Sequence, residues 1–572
     1  MGKKYQMNGR VKERTCKKAF IAFFLDLWVL IAFGGNGWAF AEPPTGDSSY
    51  AMDEIPAISK DMQQIVKGLG YSGDVDIDLV QIASSWKYPA WKRTLRQARQ
   101  DFQQKKTSAE DLARAEEKAL KDLCEAIRKK FSPAAADSEY YYLPKIVNDG
   151  KAQCLGYSQL LYVLGNSLGL TVKVVDVLEQ AGGPLPAGEE HSACLVELTD
   201  GKTIMVDLTQ ESVSKPFVFR DQYGAVGNYW ELKQKDNPFK IQRRIQILDR
   251  NGILADIYNS LGNSYAKSGK ETEAISFFTK AVEVYPKLAK AYSSRGVELF
   301  NKNQRTKAVS DLDKAVELDP KDAEAYYNRG TVYAGSRQEA QAVSDFTKAI
   351  ELKPIFPAVY KSRGNIYFKS GRNSEAIADF AKAIEQSPKD AEAYFLLGVV
   401  YDQSGKKDKA VSYYTKAIEF NPKYAQAYNM RGVVYGKLGK YTDAISDFIK
   451  AVDIDPKYAE AYCNRGVAYL QLEQYDMAVK YFSKALEVDL KYVKAYNDRG
   501  TAQIQLGKFN EARSDFTHFI QYQPKNARAY LNRAIANANL NKNEEAKRDL
   551  QKAAELDPSL KDEIKKISDK LK

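Results

Sequence analysis

Histidine is almost missing from this chain of 572 residues: His191 and His518 are the only two. Cysteine is scarce as well, with five residues at irregular spacing. This shortage excludes a zinc cluster, which needs several such ligands at set intervals, and a disulfide framework. No glycine loop of the GxxxxGKS/T kind is present to cradle a phosphate. Neither a metal nor a cofactor is therefore expected. The formal net charge is +11, but the first 41 residues carry seven basic groups (Lys3, Lys4, Arg10, Lys12, Arg14, Lys17, Lys18) against Glu13 and Asp26. The remaining excess is spread among interleaved Glu and Lys. That is a solvated surface rather than a nucleic-acid footprint.

Long apolar runs are also lacking, apart from Ala19 to Phe33. This run follows the basic head and precedes Gly34, Gly35 and Gly37, then the small residues Ala39 and Ala41. The three-part pattern predicts a signal peptide over 1–41. Asp26 interrupts the run, and the alternative is an uncleaved N-terminal anchor, for which the run is short. Either way the expectation is export, periplasmic or secreted in a bacterium, with a membrane tether if the signal stays. Cys16 leaves with the signal, so Cys124, Cys154, Cys194 and Cys463 remain.

The back half is governed by a strict period. Gly262, Gly296, Gly330, Gly364, Gly398, Gly432, Gly466 and Gly500 stand 34 residues apart, with Ala534 on the ninth step. A tyrosine lies four residues before each (Tyr258 to Tyr530), and an alanine twelve after (Ala274 to Ala546). A proline closes every unit except one, where Leu490 stands. Within a unit, Ala325, Tyr326, Arg329, Gly330 and Tyr333 follow helical spacing, as do Ala342, Phe346 and Ala349. The period and the small/aromatic pattern resemble the tetratricopeptide (TPR) repeat, which implies an all-α superhelical solenoid of nine helix pairs over 251–558. Ser559 and Asp562 then read as the cap of a final helix over 559–572, whose stripe of Leu560, Ile564, Ile567 and Leu571 covers the last repeat. A stack of this kind binds protein or peptide on its concave surface. Three residues before each glycine, the side chains are Asn259, Ser293, Tyr327, Lys361, Phe395, Asn429, Cys463, Asn497 and Leu531. Tyr327, Lys361, Asn365 and Phe395 are the candidate partner-binding residues. Lys361 with Asn365 resembles half of the carboxylate clamp of some TPR proteins, although Leu396 stands where a second asparagine belongs.

Any chemistry must come from 42–250. Thr107 and Glu110 predict a cap for a helix reaching about Lys130, with Leu112, Leu120, Leu123 and Ile127 inward and Cys124 on the same stripe. A turn-like stretch, Asn148 to Gln153, delivers Cys154 to the start of a second helix, whose buried face is Leu160, Leu161, Leu164 and Leu168. A strand over Thr171–Leu178 follows, then a Gly/Pro-rich loop over Ala181–Gly188. Strands over His191–Leu198 and Thr203–Leu208 are joined by an Asp200-Gly201 turn. Helix N-termini favour a thiolate. The antiparallel hairpin brings His191 beside Asp207, which supplies a nucleophile, a base and an orienting carboxylate. Strand alternation puts Cys194 on the sheet face opposite His191, and His518 is a surface variation in a repeat.

The segments Gly150-Lys151-Ala152-Gln153-Cys154-Leu155-Gly156-Tyr157, Leu168-Gly169-Leu170, His191-Ser192-Ala193 and Val206-Asp207-Leu208-Thr209 resemble the transglutaminase-like core. That core is a papain-related thiol fold of α+β class whose members carry Cys, His and Asp in this order. The resemblance covers about Lys145 to Gln210, within a domain whose core spans about 108–210. It implies Cys154 as nucleophile, His191 as base and Asp207 as orienter, with the Cys154 backbone N–H and a second donor meeting an oxyanion. Gln153, Tyr140, Tyr141 and Tyr142 are candidates for the second donor. Ala193 stands where the family usually has an aromatic residue, and Leu208 where it commonly has proline. The expected activity is that of a thiol peptidase, amidase or acyl transferase working through an acyl-thioester. The alternatives are protein cross-linking, with an amine as acceptor, and a non-catalytic exported scaffold. The stretch 211–252 carries no legible function.

Overall fold

The computed structural model describes residues 88–133, 151–180, 191–210, 212–217, 219–233 and 242–569, with positions 83, 86, 146, 183 and 184. The proposed leader over 1–41, the three tyrosines at 140–142, the start of the turn at 148–150 and Leu571 lie outside the described residues. Among the described residues no helix is long and apolar enough to cross a membrane.

Among the described residues the front domain packs three longer helices on one another, the third of them lying on an antiparallel sheet, and adds a short helix over Phe219–Gln222. Helix α1 spans Tyr88–Gln103, α2 Ala109–Lys130 and α3 Cys154–Ser167. The cap of α2 is not Thr107 with Glu110. Ser108 is the extended N-cap and exchanges hydrogen bonds with Asp111. Both pairs fit the capping spacing; the register that buries Leu112, Leu120, Leu123 and Ile127 decides between them. The expected turn before α3 ends differently as well. Ser132–Pro133 (β1) pairs in parallel with Lys151–Ala152 (β2), so Gln153, the N-cap of α3, is delivered by a strand. The Tyr157 hydroxyl donates to the Phe131 carbonyl at 2.8 Å in the interior, tying the first turn of α3 to the end of α2.

The sheet contains β3 (Thr171–Gln180), β4 (Gly183–Pro184), β5 (His191–Glu197), β6 (Thr203–Asp207), β7 (Ser212–Val213), β8 (Tyr223–Val226), β9 (Tyr229–Leu232) and β10 (Gln242–Leu248). Its order is β7-β6-β5-β3-β10-β9-β8, with the short β4 on β3. Part of the expected Gly/Pro loop is thus β4. The β5–β6 turn is tight, with Gly201 at φ +81, a conformation that suits glycine. On one face α3 lies so close that a Cβ on Gly165 would stand 2.6 Å from Val172 Cγ2. The other face carries a core of Val175, Val177, Ala193, Leu195, Met205, Phe217, Tyr223 and Ile245. The segment without a legible role therefore supplies β7 to β10, and β10 lies in the middle of the sheet beside β3. It leads through Asp249 into the first helix of the array, Arg250–Lys267.

Each repeat is a helix pair whose glycine receives the side chain sixteen residues on. A Cβ at Gly330, Gly398 or Gly466 would sit 2.8, 2.6 or 2.7 Å from a ring carbon of Phe346, Tyr414 or Phe482. In repeat nine Ala534 stands with Leu550 in the terminal core, whereas in repeat two Gly296 faces Leu312, whose Cγ would lie 2.8 Å from an added Cβ. A second pairing at the same interval was not anticipated. In six repeats the arginine just before the glycine forms a two-pronged ion pair with an aspartate sixteen residues later: Arg295–Asp311, Arg329–Asp345, Arg363–Asp379, Arg431–Asp447, Arg499–Asp515 and Arg533–Asp549; in repeat seven Arg465 instead lies over the ring of Tyr481 at 3.8 Å. The same guanidinium reaches back to the preceding repeat, as Arg431 does to Thr415 at 2.9 Å and Arg499 to Ser483 at 2.9 Å. Each such arginine therefore holds together three helices. Where leucine replaces it, in repeats one and five, the aspartate is replaced by Phe277 or Tyr413, and stacked rings take over: Tyr265–Phe277 at 5.1 Å and Tyr401–Tyr413 at 5.2 Å.

Proline is not what ends each second helix. The helix before Leu490 stops at Val488, with an Asp489 cap geometry close to that of Asp319 before Pro320. The array's end is covered by Leu560, Ile564 and Ile567. Ser559 with Asp562 does not cap the last helix: Asp557, accepting from the Ser559 amide and hydroxyl, caps a single 3-10 turn over Pro558–Leu560, and the last helix begins after it at Lys561 with no side-chain cap. Front domain and array are joined by ion pairs, buried at Arg244 and Lys290 and exposed at Lys321. Arg244 of β10 meets Asp319, Lys321 meets Glu231 at 2.8 Å, and Lys290 bridges Asp176 of β3 and Asp256.

Candidate active site

Cys154, His191 and Asp207 are brought together. Strand pairing sets Ala193 of β5 across from Asp207 if the ladder Cys194↔Val206 is continued by one step, so His191 and Asp207 are diagonal neighbours on one face. His191 Nε2 lies 2.6 Å from Asp207 Oδ2. The other oxygen, Oδ1, accepts from the Gln210 amide at 3.1 Å, which fixes the carboxylate plane. Sequence reasoning missed that bond, since a backbone donor leaves no residue signal. Nε2 being taken, Nδ1 is the nitrogen left for the sulfur, and the imidazole is within hydrogen-bonding reach of Cys154. Burial of the ring disfavours its charge, but the hydrogen bonds and charges of Asp207 and Cys154 outweigh this and push its pKa up to about 10. The imidazole is accordingly protonated at neutral pH.

Cys154 is the first residue of α3 and is half-buried. The helix's own ladder starts with Tyr157 donating to Gln153, so the amides of the first turn, including that of Cys154, point out of the N-terminus. Gln153 makes no side-chain cap to the helix.

The remaining cysteines differ in kind. Cys124, Cys194 and Cys463 are buried free thiols. Burial pushes Cys124 and Cys463 up to about 12, and Cys194 is raised too, its sulfur donating to the Ser158 carbonyl of α3. Cys194 does lie on the alternate face, but that is the face which carries α3. His191 reaches the sulfur because it opens β5 at the sheet's end, beside the start of α3. What removes Cys194 from consideration is burial.

Of the nine positions three before each glycine, five are buried and four, Tyr327, Lys361, Phe395 and Asn497, are half-buried. Asn259, Ser293, Asn429, Cys463 and Leu531 are buried. Tyr327 packs on Phe356 of the next repeat at 5.2 Å, and Phe395 on Tyr424 at 5.0 Å. Lys361 is taken up by Asp390, at 2.9 Å, and Glu392. Asn365 is half-buried one helical turn on. The reason is helix geometry: this position faces the following repeat, and the joint claims it. His518 is exposed and stacks on Tyr496.

The back half is thus a solenoid of helical hairpins, an architecture for protein–protein interaction. The TPR repeat family matches residues 296–336, 364–405 and 437–473, and further tetratricopeptide repeat families match 255–288, 323–356, 391–424, 413–446, 459–492 and 497–560. Through residues 255–560 the chain belongs to the tetratricopeptide repeat proteins. Among solved structures, YrrB, described as a TPR protein with an unusual peptide-binding site, is 30% identical over 32% of this chain and 95% of its own, with a TM-score of 0.28. The MamA protein is 30% identical over 30% of this chain and 94% of its own, with a TM-score of 0.28. A tetratricopeptide repeat protein from Parabacteroides merdae ATCC 43184 is 20% identical over 44% and 98%, with a TM-score of 0.34. No curated protein matches the chain.

Proposed function

We propose that the front domain is a transglutaminase-like thiol enzyme cleaving or transferring acyl groups of peptides or amides, with the repeat array holding a protein partner or substrate. The observation that carries this reading is the buried contact of His191 with Asp207 on one side and Cys154 on the other. Cys154 acts as a thiolate paired with the imidazolium. Its sulfur attacks the acyl carbon, and the oxyanion meets the outward N–H of Cys154. His191 gives its proton to the leaving nitrogen, and an acyl-thioester remains on Cys154. His191 then takes a proton from the acceptor, which adds to the thioester carbon and expels the sulfur. With water the product is a carboxylic acid; with an amine it is a new amide. In keeping with the N-terminal pattern, the protein works after export, in a periplasm or outside the cell.

Alkylation by iodoacetamide near neutral pH tests the reading. Cys154 is expected to react far ahead of Cys124, Cys194 and Cys463, and His191→Ala to slow it about ten-fold or more. Labelling of Cys154 that is indifferent to His191 would leave a scaffold in place of an enzyme.

A further inference from the structure

The site's strand is held from outside its own domain. Lys290 belongs to the first helix of repeat two (Ala289–Asn301), yet its ammonium reaches Asp176 of β3 at 2.9 Å and Asp256 of repeat one at 2.5 Å. Both carboxylates are almost wholly buried, at 3% and 1% side-chain exposure. Asp176 stands across the ladder from Ser192, and the next pair, Val177↔His191, is the last of that ladder. Lys290 therefore holds β3 one ladder step from the pair that includes His191, the last β3–β5 pair among the described residues.

We propose that Lys290 is a positioning residue for the Cys154–His191 pair, acting through Asp176, so that the repeat array sets the reactivity of the front-domain thiol. The inference rests on the thiol-enzyme reading above. A buried carboxylate stays in place only while its charge is compensated. Loss of Lys290 removes the cation that lies 2.9 Å from Asp176, and the end of β3 shifts with the His191 backbone paired to it. Asp256 faces the same ammonium from the array side, and its loss leaves the Lys290–Asp176 contact intact. The three residues consequently have unequal effects on Cys154, which a purely structural role for the cluster does not produce.

The experiment is the alkylation rate of Cys154 by iodoacetamide as a function of pH in the full chain, with the buried Cys124, Cys194 and Cys463 as internal reporters of folding. Lys290→Met and the isosteric Asp176→Asn are expected to lower the rate at neutral pH about ten-fold. Their profile then becomes that of an ordinary thiol, rising toward a pKa of about 8.5. Lys290→Arg restores the fast neutral-pH reaction, and Asp256→Asn leaves it as in the parent. Where Lys290→Met exposes the other three thiols, Asp176→Asn decides alone. A parent-like rate and profile in folded Lys290→Met or Asp176→Asn overturns the proposal, and so does equal slowing by Asp256→Asn. His191→Ala separates the two levels: if it leaves Cys154 unchanged, the enzyme reading fails; if it slows Cys154 while Asp176→Asn does not, only the role of Lys290 fails.

Discussion

Gly432 and Gly436 lie one turn apart on the same helix, Ala425–Lys437, and the same substitution is expected to act oppositely at the two. In a helix interior alanine is better than glycine by about 1 kcal/mol, so both variants gain that propensity. At Gly436 a Cβ meets nothing within 4 Å, and the gain stands. At Gly432 the new carbon lies 2.7 Å from Phe448 Cε1 and 3.1 Å from two further ring carbons, so the ring must move. Phe448 is 3% exposed and has no free space to enter. Overpacking of this kind costs about 1–3 kcal/mol. Gly432→Ala should therefore be less stable than Gly436→Ala by about 1–3 kcal/mol, the propensity term cancelling in the comparison. Amide hydrogen exchange in repeat six of the full chain is the suitable assay, because arrays of repeats unfold locally and a global midpoint averages over them. Adding Phe448→Leu to Gly432→Ala should recover part of the loss, because the ring carbons that meet the new Cβ are then gone. Two results would refute the argument that ring contact dictates the glycine. One is equal protection in the two alanine variants; the other is a Gly432→Ala cost that stays the same when Phe448→Leu is already present.

Other consequences can be checked separately. Arg431→Leu strands the buried Asp447 and should cost about 3–5 kcal/mol locally, whereas Arg431→Leu with Asp447→Tyr, the pairing of repeat five, should cost much less; hydrogen exchange distinguishes them. Glu473 holds a left-handed backbone at φ +56 where five repeats have glycine, so Glu473→Gly should stabilise repeat seven by about 1 kcal/mol; no gain would mean the turn relaxes. His191 has its folded pKa raised from 6.5 to about 10, so its contribution to stability is complete below about 6.5 and lost as pH rises through about 10. Urea midpoints for the front domain should fall over that window, and Asp207→Asn should flatten the fall.

What the chain alone determined follows from local and periodic physics. The 34-residue step, the small residue facing a large one and the tight Asp200-Gly201 turn each depend on neighbours at a fixed sequence interval. The solenoid and the β5–β6 hairpin were therefore legible before any coordinates. The arginine–aspartate ladder obeys the same period and could have been read from it. Cys154, His191 and Asp207 were singled out by residue type at element ends. Their meeting within hydrogen-bonding reach, the Gln210 amide behind Asp207 and the arrival of His191 at the strand's end rather than across its face were decided by packing. So were the central place of β10, the removal of Tyr327, Lys361 and Phe395 into the joints, and the reach of Lys290 from the array to Asp176. Those contacts join residues far apart along the chain. Burial, rather than any sequence interval, selects them, because a buried charge accepts only a compensated place in the fold.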